Sequence, residues 1–213
     1  MSSEAEHAAH AKRALRAELR ERRRIRPQHE REVVAERLTQ QLIALTSSLG
    51  PRSLSCYLST PDEPPTRAFL RWAGERDIDV LVPVSRDDGL LDWAPYAPPP
   101  LDAGASPGGS VAAADAELLD VAGMPVPDAE LLSPLAINDV GLILVPAAAV
   151  DRSGVRMGWG RGYFDKTLGS MSSRPPVFAV VFDDELVEEL PREAHDAPVD
   201  GVVTPSGITR FSD

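Results

Sequence analysis

Val140-Gly141-Leu142-Ile143-Leu144-Val145-Pro146, then a loop to Asp151, then Gly154-Val155-Arg156-Met157-Gly158-Trp159-Gly160-Arg161-Gly162-Tyr163-Phe164-Asp165: this stretch decides the reading of the fold. Its first part is an apolar, branched run of strand length, the pattern of a strand buried on both faces. Pro146 ends that run. Gly154, Gly158, Gly160 and Gly162 then punctuate a turn, and Tyr163 to Leu168 is predicted to be helical. In open α/β sheets ligands sit at the carboxyl ends of strands. Glycines there let backbone N–H groups approach an anion, and the following helix N-terminus adds favourable partial charge.

The flanking sequence fits the same architecture. Ala8 to Arg26 is rich in Ala, Leu, Glu and Arg, all good helix formers. Pro27 breaks that run and suits the first turn of a second helix, in which Val34, Leu38, Leu42 and Leu45 share one face. Gly50-Pro51 closes it. Leu54 to Leu58 is predicted as a strand, Pro65 to Arg76 as a helix, and Ile78 to Val84 and Leu90 to Tyr96 as strands. The Pro/Gly-rich stretch 97–110 is expected to be a surface loop. Val177 to Phe182 and Val199 to Val203 complete the strands. Apolar strands alternating with helices imply a mostly parallel sheet covered on both faces, a three-layer α/β/α arrangement. The reading is one domain over 1–213, with 1–10 and 206–213 expected to be flexible.

Composition narrows the function. The net charge of −11 is unevenly spread. Nine basic and three acidic residues between Lys12 and Arg31 give that arm +6, leaving −17 elsewhere. An acidic body with one basic arm argues against broad nucleic-acid binding and leaves room for a local anion site. No apolar run has the length to span a bilayer, and the charged N-terminus has no signal-peptide core, so a cytoplasmic protein is expected. The single cysteine, Cys56, excludes an internal disulfide and reads as a packed strand side chain rather than a nucleophile.

The side chains of the glycine-rich segment suit phosphate. Arg156 and Arg161 can clamp phosphate oxygens. Asp165 is a hard oxygen ligand suited to Mg²⁺. Trp159 and Tyr163 offer flat faces for stacking against a heterocycle. No Gly-Lys-Ser/Thr follows, so this is not a Walker loop. No acidic residue about twenty positions on closes a Rossmann unit. Spacing alone therefore leaves open a connecting turn with exposed arginines.

Taken together, Val145-Pro146 through Asp151, Gly154, Arg156, Gly158, Gly160, Gly162, Tyr163, Phe164 and Asp165 resemble the signature of the 5-formyltetrahydrofolate cyclo-ligase family. Three further patches follow the family's order. They are Lys12-Arg13-Ala14-Leu15-Arg16, Leu58-Ser59-Thr60-Pro61-Asp62-Glu63 and His195-Asp196-Ala197-Pro198-Val199-Asp200. The resemblance spans about Lys12 to Thr204. The chain departs from the pattern at Phe164, where the family has Tyr, and at Val126, where many members carry Glu. Trp159 fills a variable position.

The resemblance implies a Rossmann-like, NagB/RpiA/CoA-transferase-like fold. It also implies ATP- and Mg²⁺-dependent closure of 5-formyltetrahydrofolate to 5,10-methenyltetrahydrofolate through a phosphorylated formyl group. On that pattern Lys12, Arg13, Arg16, Arg156, Gly158, Trp159, Gly160, Arg161, Gly162, Tyr163 and Phe164 hold ATP. Leu58, Glu63, Trp159 and Tyr163 contact the folate, Asp165 and Asp196 the metal, and Arg156, Arg161 and Tyr163 act in catalysis. His195 is read as a local hydrogen-bonder. Arg20, Arg22, Arg23, Arg24 and Arg26 are read as surface charge. The expected partner is a small folate, with or without a polyglutamate tail, for a monomeric enzyme that binds neither nucleic acid nor membrane. Two other readings stand beside it: another ATP-dependent ligase or kinase on the same scaffold, and a non-catalytic nucleic-acid- or partner-binding module.

Overall fold

The computed structural model describes residues 2–98, 118–192 and 196–211. Two long helices open the chain, α1 (Ser2–Ile25) and α2 (Gln28–Leu49), with α2 stopped by Gly50 in the left-handed region. There follow β1 (Ser53–Ser55), α3 (Arg67–Gly74), β2 (Asp79–Ser85), β3 (Leu91–Pro95), β4 (Leu118–Leu119) and β5 (Pro125–Val126). The glycine-rich region contributes β6 (Ile143–Pro146), β7 (Ala149–Asp151), β8 (Arg156–Met157) and α4 (Tyr163–Ser170). β9 (Val177–Val180), β10 (Leu186–Val187), β11 (Gly201–Thr204) and β12 (Gly207–Arg210) end it.

The central sheet has seven strands in the order β12-β11-β9-β6-β1-β2-β3. The run from β11 to β2 is parallel, and the two edge strands, β12 and β3, are antiparallel to their neighbours. Side chains alternate across it. Leu54, Leu144, Phe178 and Val180 pack with Leu38, Leu42 and Leu45 of α2 and Phe69 and Leu70 of α3. On the other face Ile143, Val145, Val177 and Ala179 pack with Leu168 of α4 and with Ile137. The result is the expected three-layer α/β/α arrangement. A third cluster joins Leu19 of α1 to Ala148, Ala149, Val155, Met157 and Leu190. It docks the first helix on the glycine-rich region rather than on the main sheet.

Several expectations need correction. The strand predicted over Leu54 to Leu58 is shorter. The Cys56 N–H still donates to the Leu81 carbonyl at 3.0 Å, but from Tyr57 on the partners are local: Thr66 Oγ1 donates to the Tyr57 carbonyl at 2.6 Å, and the Tyr57 side chain donates through Oη to the Pro64 carbonyl at 2.8 Å. α1 begins at Ser2, and Gly207–Arg210 pairs along β11 as an edge strand whose single large apolar residue, Ile208, leaves no alternating signature in the sequence. The loop expected from Pro146 to Asp151 instead contains β7, which pairs with β8 as a hairpin and with β10 to make a small three-stranded sheet. Residues 99–110 of the expected Pro/Gly loop, and His195, lie outside the described residues.

Candidate functional site

Leu58, Ser85 and Pro146 follow or end β1, β2 and β6, so the carboxyl ends of three neighbouring parallel strands form the floor of one cleft. The cleft has a volume of about 440 Å³. Gly158, Trp159, Arg161, Gly162, Tyr163, Phe164 and Asp165 form one wall, and Thr60, Asp62 and Glu63 another. Arg20 and Arg23 reach it from α1, and Met124 and Pro125 from the short hairpin of β4 and β5.

The loop is shaped from below by Asp151. Its Oδ1 accepts from the backbone N–H of Ser153 at 2.9 Å and of Val155 at 3.0 Å, and its Oδ2 from that of Leu190 at 3.1 Å. That tight turn delivers Arg156 into the interior at only 2 % exposure. Arg156 Nη2 donates to Asp165 Oδ1, joining the strand before the glycines to the helix after them. A Cβ on Gly158 would lie 2.8 Å from the Arg156 guanidinium, so the missing side chain is what admits the arginine. Arg156 Nε is buried with no hydrogen-bond partner, an N–H left for an acceptor in the cleft that Arg156 lines. Tyr163 Oη donates to the Arg86 carbonyl at 3.2 Å.

The expected N-terminal contacts partly converge on this loop. Arg16 Nε donates to the Gly158 carbonyl at 2.7 Å, and its guanidinium lies against Gly160. Lys12 is buried, and its Nζ donates to Asp196 Oδ2 at 2.6 Å. Arg13 points to solvent. Lys12, Arg13, Arg16, Gly160 and Asp196 do not line the cleft itself. The two carboxylates expected to share a metal are each engaged by a cation, Asp165 by Arg156 and Asp196 by Lys12. Among the described residues no three His, Cys, Asp or Glu side chains form a metal cage. A nucleotide-borne Mg²⁺ needs only one or two protein carboxylates, and Asp165 lies on the cleft wall with its Oδ2 making no hydrogen bond among the described residues. The residues present therefore fit such an ion at Asp165.

Glu63, expected to contact the folate, lines the cleft. Its Oε2 accepts from the Thr60 N–H at 2.9 Å and the Thr60 hydroxyl at 3.1 Å. Burial raises its carboxyl above the usual range, and the Thr60 hydrogen bonds pull the other way. Burial also pushes the Cys56 thiol up, which agrees with a packed, unreactive side chain.

The surface-charge reading fails for Arg23. It is 2 % exposed and makes a two-pronged pair with Glu185, Nε to Oε1 at 2.6 Å and Nη2 to Oε2 at 2.8 Å. Arg20 and Arg23 also lie over Trp159, 5.3 and 4.7 Å from its ring centroid. Helical spacing carried the signal. Lys12, Leu15, Leu19 and Arg23 fall on one face of α1, so Arg23 follows Leu19 into the interior. Arg22 and Arg24 are solvent-facing, as expected, while Arg26 is largely covered and lies over Phe182. Asp120 was also not anticipated. It accepts from the Ser85 N–H at 2.7 Å and ties the β4–β5 hairpin to the end of β2.

A three-layer fold with an arginine- and glycine-lined cleft at its strand ends is that of a small-molecule enzyme. Residues 8–205 match the model of the 5-formyltetrahydrofolate cyclo-ligase family. The chain is 37 % identical over 200 residues to the 5-formyltetrahydrofolate cyclo-ligase of Mycolicibacterium smegmatis, covering 92 % of this chain and 94 % of that one. It is 25 % identical to the mouse protein of the same name, covering 91 % and 93 %. Among solved structures, the 5,10-methenyltetrahydrofolate synthetase of Aquifex aeolicus superposes with a TM-score of 0.70 at 24 % identity, over 95 % of this chain and 93 % of that one. The synthetase from Mycoplasma pneumoniae does so with 0.66 at 17 %, over 90 % and 97 %. The chain belongs to the 5-formyltetrahydrofolate cyclo-ligase family.

Proposed function

We propose that the cleft binds 5-formyltetrahydrofolate and Mg·ATP side by side and converts them to 5,10-methenyltetrahydrofolate, ADP and phosphate. The observation that carries this reading is the meeting in one cleft of Arg156, Arg161 and Asp165 with Leu58 and Glu63. The first group suits a polyphosphate and the second a pterin.

The formyl oxygen of the substrate attacks the γ-phosphorus, and the bond to ADP breaks. N10 then attacks the activated formyl carbon, and phosphate leaves with the oxygen and the N10 proton. The nucleophiles belong to the substrate, which agrees with a site that offers cations and glycines rather than a nucleophile–base pair. Such phosphoryl transfer depends on positioning and charge neutralisation. Arg156 presents its unpartnered Nε to a phosphate oxygen and keeps its orientation through Asp165. Arg161, exposed at the cleft wall, adds a second guanidinium. Arg16 shapes the loop through the Gly158 carbonyl. Glu63 accepts from the amide and amino edge of the pterin, and Trp159, Tyr163 and Phe164 cover the flat ring systems. When bound at Asp165, and at Asp196 if the pair with Lys12 opens, Mg²⁺ would neutralise charge on the transferred phosphoryl group.

The test is direct. Purified protein mixed with 5-formyltetrahydrofolate, ATP and Mg²⁺ should generate the near-ultraviolet absorbance of the methenyl product. No rise over a protein-free control at saturating substrate would overturn the assignment. ADP release with other acceptors but not with the folate would favour a different ligase or kinase.

A further inference from the structure

Trp159 sits between Gly158 and Gly160, two residues with no side chain to hold the loop in place. What holds it is α1. Arg16 ties the Gly158 carbonyl, and Arg20 and Arg23, one turn apart, lie against the indole. Arg23 is the fixed member of this group. Besides its two bonds to Glu185, its Nη2 donates to the Ala147 carbonyl at 2.8 Å. Its guanidinium also lies 5.3 Å from the Phe182 ring centroid. Glu185 is itself held, since its Oε2 accepts from the Phe182 N–H at 2.9 Å.

A buried ion pair of this kind is no requirement of packing, because apolar side chains of similar volume can replace one at little loss of stability. What a guanidinium offers here, and a leucine does not, is a rigid cationic plane against an indole face. Glu185 fixes that plane in its own geometry by accepting from two of its nitrogens. The chain of contacts therefore runs from the 182–185 turn through Glu185 and Arg23 to Trp159, and ends in the cleft wall.

We propose that Arg23, locked by Glu185, is a positioning residue that holds Trp159, and with it the 158–162 loop, in the conformation that lines the cleft. It reaches the cleft edge from α1 and acts through the indole. Its kinetic consequence rests on the ATP- and folate-binding reading given above. Its structural consequence does not.

The experiment has two arms. In the first, without substrate, acrylamide quenching of Trp159 emission is taken as the difference between each protein and its Trp159→Phe counterpart. The Arg23→Leu/Glu185→Leu protein keeps the volume filled and removes the pair. Circular dichroism and urea unfolding establish that it is folded. Trp159 should become more accessible to quencher in it, and Arg23→Lys should not restore protection, because an ammonium cannot make the two-pronged pair. If the double variant does not fold, Glu185→Gln takes its place, keeping the volume and one acceptor. In the second arm, KM for ATP rises roughly tenfold, the worth of a desolvated cation–π contact, while kcat changes much less. In a Trp159→Leu background the same substitutions should leave KM unmoved, since the indole they act through is gone. Unchanged quenching in a folded variant overturns the proposal, as does an equal KM effect with and without Trp159. A wild-type protein that makes no methenyl product overturns the assigned reaction instead and leaves the quenching arm standing.

Discussion

Lys12 Nζ donates to Asp196 Oδ2 at 2.6 Å, joining the middle of the N-terminal helix to a segment 184 residues away. Both side chains are buried, at 3 % and 8 % exposure. The pair closes the fold on itself beside the glycine-rich loop.

Breaking this pair should cost stability and function separately. Lys12→Met leaves a buried carboxylate without its ammonium and should lower the unfolding free energy by about 3 kcal/mol, read from urea titrations. Lys12→Met/Asp196→Leu should recover most of that loss. Turnover should stay low in both, because the ammonium and carboxylate assigned to Mg·ATP remain absent. Recovery of activity with stability would mark the pair as structural only.

Glu63 should give the enzyme an acid limb above the usual carboxylate range, because burial raises its folded-state value. The ionised form accepts from the pterin, so kcat/KM for the folate should fall as pH drops through that value. In Glu63→Gln this limb should vanish and kcat/KM should be lower by about 10–100-fold, the worth of a hydrogen bond to a charged group. Stability should move the other way. A folded value raised above the unfolded one contributes stability that is fully present below the unfolded value and is lost as pH rises through the folded one. The stability of Glu63→Gln relative to wild type should therefore increase from acid to neutral pH, measured by urea unfolding at several pH values.

Gly160 has a φ of 97°, a backbone angle that side chains resist, and Arg16 packs at 3.5 Å from where its Cβ would be. Gly160→Ala should cost about 1–3 kcal/mol of local strain. The expected outcome is a loop displaced from Arg16 and a raised KM for ATP, with a smaller change in KM for the folate. Steady-state kinetics in both substrates checks it.

Cys56 should be inert in the native protein. It is fully buried, and burial raises its thiol. A thiol reagent such as 5,5′-dithiobis(2-nitrobenzoate) should release no chromophore from native protein at neutral pH and one equivalent in urea. Native labelling at the rate of a free thiol would contradict this burial.

Much of the site could be read from the residues because its signals are local. The buried strand, the glycines, and the helix start at Tyr163 lie within one short stretch, and Lys12 with Arg16 are one helical turn apart. Arg23 was harder. Its position in a run of arginines suggested solvent, and only its spacing from Leu15 and Leu19 pointed inward. The partner it needs, Glu185, belongs to an acidic run, Asp183-Asp184-Glu185, that reads as surface for the same reason.

The order of the main-sheet strands from β1 to β11 and of the helices between them, the parallel core of the sheet and the place of the glycine-rich loop are legible in the residues alone, since each depends on periodicity and turn residues within a few positions. Which charges meet is set by the packing of the layers. Lys12 with Asp196, Arg23 with Glu185 and the pairing of β12 along β11 follow from how the layers cross. An ion pair or an edge strand leaves no local period. Whether a charge is solvated or buried depends on what the rest of the chain lays over it.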